Sequence, residues 1–163
     1  MKMRILAIIL LIAFSGCQSP KKEYDFTFYK GNIKESYYLK FSSSDTLFYI
    51  NNFAYKEQTF FTILTSEEKE KIQNILDTIT FPKDEKFTNS LIEDGETNAF
   101  NLKDNKQSKN LTIHGNKGPN QFWSFGESLF KIKNLHKFTR TNKTFDLSVF
   151  NKILSAPPPP IIN

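Results

Sequence analysis

From residue 24 to residue 64 the chain alternates aromatic or β-branched residues with polar ones, in short runs separated by turn-forming clusters. That period of two belongs to half-buried strands and restricts this part of the chain to sheet. Tyr24-Asp25-Phe26-Thr27-Phe28-Tyr29 sets the pattern, with Tyr24, Phe26 and Phe28 on one face. Gly31-Asn32 marks a turn. Residues 36–41 form a second strand, which Ser42-Ser43-Ser44-Asp45 closes. Residues 46–50 and 59–64 supply two more. Tyr37 and Tyr38 are adjacent in a strand, so their rings point to opposite faces, and at least one faces away from the main core.

At residue 65 the period changes. Thr65-Ser66-Glu67-Glu68 carries the capping-box pattern, a threonine with a glutamate three residues on, and its two acids suit the positive end of a helix dipole. Ile72, Ile75, Leu76 and Ile79 follow on one helical stripe, and Pro82 ends it. Residues 83–97 are polar and read as a loop. Residues 99–103 and 110–114 read as a strand pair across a polar connection at 104–108. Gly118-Pro119 leads into a second helix over 120–134, with Phe122, Phe125, Leu129 and Ile132 on one side. A short strand near 137–140 precedes a last helix, capped by Asp146, with Leu147, Phe150 and Leu154 inward. Residues 156–163 are a proline-rich tail. Strands joined by short links, with helices set apart from them, predict a single α+β domain over 24–155: a mostly antiparallel sheet with two to three helices packed on it.

Composition narrows the function classes. The chain has 163 residues and one cysteine, Cys17, so the domain builds its stability from its core and not from disulfides. Its 24 aromatic residues, 17 of them Phe, are the material for that core. The net charge of +5 is spread along the chain and not gathered into a basic stripe, which argues against nucleic-acid binding.

Residues 1–16 read as an export signal: basic Lys2 and Arg4, an uncharged apolar run over 5–14 too short to span a bilayer, then small residues before a cysteine. Phe14-Ser15-Gly16-Cys17 resembles the lipobox of bacterial lipoproteins, with Phe14 where leucine is commonest. The resemblance implies cleavage before Cys17, acyl chains on Cys17 and stable anchoring to a membrane, since two or more chains hold where one does not. The mature chain then carries 20 − 17 = +3, because the signal removes two basic residues and no acids. Gln18, where an aspartate favours inner-membrane retention, points to the outer membrane, with periplasmic and surface-facing orientations both open. Residues 17–23 form a charged tether. The order of elements over about 46–135 resembles a group of small envelope lipoproteins with a domain of unknown function, through the helix ending in Ile79-Thr80-Phe81, the acidic turn at Glu93-Asp94 and Gly118-Pro119 before a helix. That group implies no activity.

The candidate site residues are few. His114 precedes Gly115-Asn116-Lys117-Gly118, a glycine loop before a helix that could cradle a phosphate, although it lacks a Gly-Lys-Ser/Thr ending; the plain alternative is a turn with glycines at positive φ. His114 and His136 are the only histidines, share no helical face, and suggest no metal site. Glu93, Asp94 and Glu96 surround Gly95 in what reads as a solvated turn. Ser124 lies on a predicted helix, between Trp123 and Phe125, a poor place for a nucleophile. Trp123, with the tyrosines at 24, 29, 37, 38, 49 and 55, offers either a sugar-binding platform or core packing. Pro157 to Pro160 is a stiff segment suited to docking or spacing. The expectation is a membrane-anchored envelope lipoprotein acting as a non-enzymatic binding or accessory module for an envelope protein or glycan. Its candidate surface comprises Trp123, Tyr37, Tyr38 and His114, and no cofactor is called for. The alternative is an envelope hydrolase or transferase using His114 or the Glu93/Asp94/Glu96 turn.

Overall fold

A computed structural model describes residues 23–53, 57–104 and 107–154. The alternating first half forms four strands in a row: β1 (Asp25–Gly31), β2 (Ser36–Ser42), β3 (Thr46–Asn51) and β4 (Gln58–Ile63), each antiparallel to the next. Helix α1 (Ser66–Thr78) follows, then β5 (Lys86–Thr88), β6 (Thr97–Asp104), β7 (Gln107–His114), α2 (Asn120–Leu135), β8 (Thr139–Thr141) and α3 (Ser148–Ile153). The strands make one open sheet in the order β5-β7-β6-β1-β2-β3-β4-β8. All pairings are antiparallel except β5 with β7, so the described residues form an α+β domain with an eight-stranded, mostly antiparallel sheet and three helices.

The sheet is larger than the sequence pattern suggests. Residues 83–97, read as a loop, contain β5, whose Phe87 pairs with Ile113. Three residues are too few to show a period, so only the tertiary pairing reveals this edge strand.

Alternation sorts the side chains into two layers. Phe26, Phe28, Tyr37, Leu39, Phe41, Leu47, Phe100 and Leu111 face the helices, where Ile72 and Leu76 of α1 and Phe122, Phe125, Leu129 and Ile132 of α2 complete the main core. Aromatic rings dominate it: Phe100 sits 5.0 Å from Phe122 edge-on, and Phe26 stacks at 5.3 Å on Phe125. On the opposite face, Tyr38, Ile50 and Ala99 are covered by Phe150 of α3 and by Phe145, Leu147 and Leu154 beside it. Segment 142–154 therefore runs as a strap across the second face.

The capping box forms as the sequence implies. Thr65 Oγ1 accepts from the Glu68 N–H at 3.2 Å, and Glu68 Oε2 accepts from the Thr65 N–H at 2.9 Å. Within the apolar stripe, Ile72 and Leu76 are buried while Ile75 and Ile79 are only partly so. Helix α3 begins one residue later than a cap at Asp146 implies, but the Asp146 carboxylate still accepts from the Ser148 N–H at 2.9 Å. That hydrogen bond holds the Asp146 carboxyl below its ordinary range.

Candidate functional site

Register aligns side chains across strands as well as along them. Tyr37 on β2 pairs with Lys30 on β1, Lys30 with Asn98 on β6, Tyr37 with Asn51 on β3, and Asn51 with Gln58 on β4. Directly paired residues share a face. A polar row, Asn98–Lys30–Tyr37–Asn51–Gln58, therefore crosses the helix-facing side at one end of the strands, next to the all-apolar row Phe100–Phe28–Leu39.

Two features let this row sit under α2. Gly126 is buried against it: a Cβ there would lie 3.1 Å from Asn98 Nδ2 and 3.4 Å from the Phe28 ring, so a side chain would hold the helix off the sheet. Both lysines of the cluster are also paired with carboxylates. Lys30, only 4% exposed, has its ammonium 2.7 Å from Glu96 and 3.8 Å from Glu127 of α2, and 4.3 Å from the centre of the Phe130 ring. Lys133 of α2 reaches Glu35 at 3.5 Å and lies 4.5 Å from the Tyr37 ring centre and 5.5 Å from those of Tyr49 and Phe130. A buried lysine is tolerated only when paired in this way.

Two groups in the row stay unsatisfied. Among the described residues, Tyr37 Oη and Asn98 Oδ1 are buried side-chain atoms without a hydrogen-bond partner. Asn98 spends its amide nitrogen on Glu96 Oε1 at 3.0 Å, which fixes the orientation of the amide. Burial drives the Tyr37 hydroxyl well above the ordinary tyrosine range, and the carboxylates of Glu35 and Glu96 add to the effect, so it stays protonated. Tyr49 beside it is raised for the same reasons, burial first and then Glu35. Such buried orphans are rare in folded proteins and call for a specific explanation. At its outer end Gln58 also lines an open cavity of about 470 Å³ between β4, β8 and residues 142–145, together with Thr59, Thr141, Asn142 and Thr144.

The residues singled out by sequence occupy other places. Tyr37 and Tyr38 do point to opposite faces, but both are buried, at 0% and 5% exposure, because the strap covers the second face. Neither is available to an open aromatic surface. Burial, then the neighbouring Tyr29 and Glu57, pushes the Tyr38 hydroxyl up to about 12. Trp123 is half-buried against the main core and donates its indole N–H to Lys117 O at 3.0 Å. His114 donates from Nε2 to Ile92 O at 2.7 Å, which leaves Nδ1 to accept from the Thr97 hydroxyl at 2.8 Å. Both of its ring nitrogens are thus spent on fixing the loop before β6. In the glycine loop, Gly115 and Gly118 take φ of +68° and +101°, while the Gly115 and Lys117 N–H groups bond to Glu96 O and His114 O. Those donors are committed to the turn and are not turned toward an anion. Of the acidic turn, Glu93 and Asp94 are exposed, and only Glu96 enters the row. Ser124 is exposed and lines a shallow cleft between α1 and α2. Cys17, Tyr55 and Pro157 to Pro160 lie outside the described residues.

His136 forms a second polar junction. Its Nε2 donates to the Glu68 carboxylate at 2.9 Å, and its Nδ1 lies 3.2 Å from Thr62 Oγ1. Threonine, histidine and glutamate are thus linked in series, but Thr62 is buried and Glu68 is held in the helix cap. The junction ties the start of α1 and the end of α2 to β4. The two histidines sit at opposite ends of the sheet, and no group of three metal-ligating side chains forms among the described residues.

No known protein family, curated protein or solved structure matches this chain. The sequence pattern does not show the polar row, because the first predicted strand ends at Tyr29 and leaves Lys30 outside it. Its partners Glu96 and Glu127 lie far along the chain. Continuing the alternation Phe26, Phe28, Lys30 was the one available signal.

Proposed function

We propose that this protein is a lipoprotein of the bacterial cell envelope, held at the outer membrane by acyl chains on Cys17, and that its domain works by binding an envelope protein or glycan. The observation that carries this reading is the direction of β1. The strand starts at Asp25, eight positions after Cys17, and ends at Gly31, beside the polar row. Eight residues reach at most about 28 Å, so the anchor keeps the start of β1 near the bilayer. Lys30, five residues on, then lies roughly 17 Å from that start. A site at the strand end away from the tether would be free to meet partners beyond the membrane surface. The candidate acid–base groups lend catalysis little support, since His114 is spent on the β6 loop and Glu96 on Lys30. The test is metabolic labelling with palmitate in a bacterial host. The wild-type chain incorporates label and fractionates with membranes, and Cys17→Ala does neither. Labelling that survives the substitution would sink the reading.

A further inference from the structure

We propose that the open cavity between β4, β8 and residues 142–145 is a binding site for an acidic saccharide, a sugar that carries a carboxylate or a phosphate. The inference rests on the binding role proposed above and names the ligand class. Strand register sets the cavity at the end of the sheet where β1 finishes: Lys30 pairs with Tyr37, Tyr37 with Asn51, Asn51 with Gln58, and next to Gln58 Thr59 pairs with Thr141. Its volume of about 470 Å³ lies within the range of small-molecule sites. It opens to solvent, so a ligand reaches it without displacing any packed element.

The lining selects the ligand. Arg140 and Lys143 are both exposed, and neither has a carboxylate partner among the described residues. Lys143 is nonetheless held in place. Its ammonium lies 4.4 Å from the centre of the Phe48 ring and 5.3 Å from that of Phe145, and its backbone N–H donates to Thr141 Oγ1 at 3.3 Å. Arg140 adds a planar fork of donors, which matches a carboxylate or a phosphate. Against these two cations the lining sets one acid, Glu57, so an anionic group is favoured over a cationic one. The rest is neutral and polar: Gln58, Asn142 and three threonines supply amides and hydroxyls, which both donate and accept. Sugar hydroxyls do the same, and Glu57 can accept from one of them. Phe145, braced edge-on by Phe48 at 4.9 Å, offers a ring to the C–H face of a sugar. An apolar ligand finds little here. An acidic peptide also fits less well, because extended peptides dock by adding to a free strand edge, and the edge beside the cavity, β8, is three residues long.

The test uses the full chain in detergent micelles, titrated calorimetrically with digalacturonate and with glucose-6-phosphate, alongside Arg140→Gln and Lys143→Gln. The wild type binds at least one of these two acidic sugars, the tighter of them naming the anion, and added sodium chloride weakens the binding by screening. The uncharged counterparts, digalacturonate methyl ester and glucose, bind about tenfold more weakly or less, as do inorganic phosphate and tetraglutamate. Each variant weakens the acidic sugar about tenfold, the worth of one charge-assisted hydrogen bond. Their unliganded Tm stays level, because both side chains are exposed. An uncharged counterpart that binds as tightly as its acid overturns the proposal. Inorganic phosphate that matches the sugars overturns it as well, since the site then takes any anion, and tetraglutamate that matches them makes it a peptide site. Affinity unchanged in both variants overturns it too, as does failure of both acidic sugars to bind. In that last case, an envelope protein or glycan recovered equally by the wild type and by Arg140→Gln leaves the broader binding role standing, and recovery of none removes both.

Discussion

Single residues decide how closely the layers approach, and Gly126 is the clearest case. Glycine costs a helix interior about 1 kcal/mol against alanine. It is used in α2 because Asn98 and the Phe28 ring occupy the space a side chain would need. Gly126→Val is expected to destabilise the fold by about 1–3 kcal/mol through overpacking, measured as a lowered urea midpoint. An unchanged midpoint means that α2 does not press on the row. Lys30 teaches a related lesson. An isolated lysine in an aromatic strand looks like the point where the strand leaves the core. Here it stays in the core because two carboxylates and the Phe130 ring replace its water. The sequence shows the residue and its phase in the alternation, but not the carboxylates that make its burial tolerable.

At the scale of elements, α1 was the most legible. Its capping box and apolar stripe depend on residues within a few positions of one another, and both form. The pattern could not show which stripe residues are fully buried. Ile72 and Leu76 are, whereas Ile75 lies partly open beside the cleft between the two helices. The cap also has a partner from far along the chain. Burial alone would raise the Glu68 carboxyl, but the hydrogen bonds from Thr65 and His136 outweigh it and leave the group below its ordinary range. A carboxylate depressed in the folded state contributes stability that is present above its unfolded pKa and lost as pH falls through the folded value. Stability should therefore decline on acidification below the ordinary carboxylate range. Glu68→Gln, which keeps the capping geometry and loses the charge, should show a flatter acid limb in a series of Tm values against pH. An acid limb as steep as the wild type's would assign the loss to other groups.

For the whole molecule, the decisive feature is that both faces of the sheet are covered. The helices close one, and the strap over 142–154 closes the other through Phe150 on Tyr38 at 5.1 Å and Phe145 on Phe48 at 4.9 Å. Phe150→Ala should cost about 3–5 kcal/mol by chemical denaturation, the value for a large aromatic deleted from a core. A loss under about 1 kcal/mol would mean that the strap only rests on the sheet. The strap explains why Tyr38 is an interior residue and the helices why Tyr37 is, although both look like a surface platform in sequence. Taken alone, the sequence determined the α+β class, most of the strands, the two long helices and the cap of α1. All of these follow from local periodicity and from side chains bonding to nearby backbone. Only the tertiary structure decided the β5 edge, the burial of Tyr37 and Tyr38, and the polar row from Asn98 to Gln58. Each depends on register between strands or on segments brought together from distant parts of the chain. A period of two states that a side chain faces one side or the other, but not what covers that side.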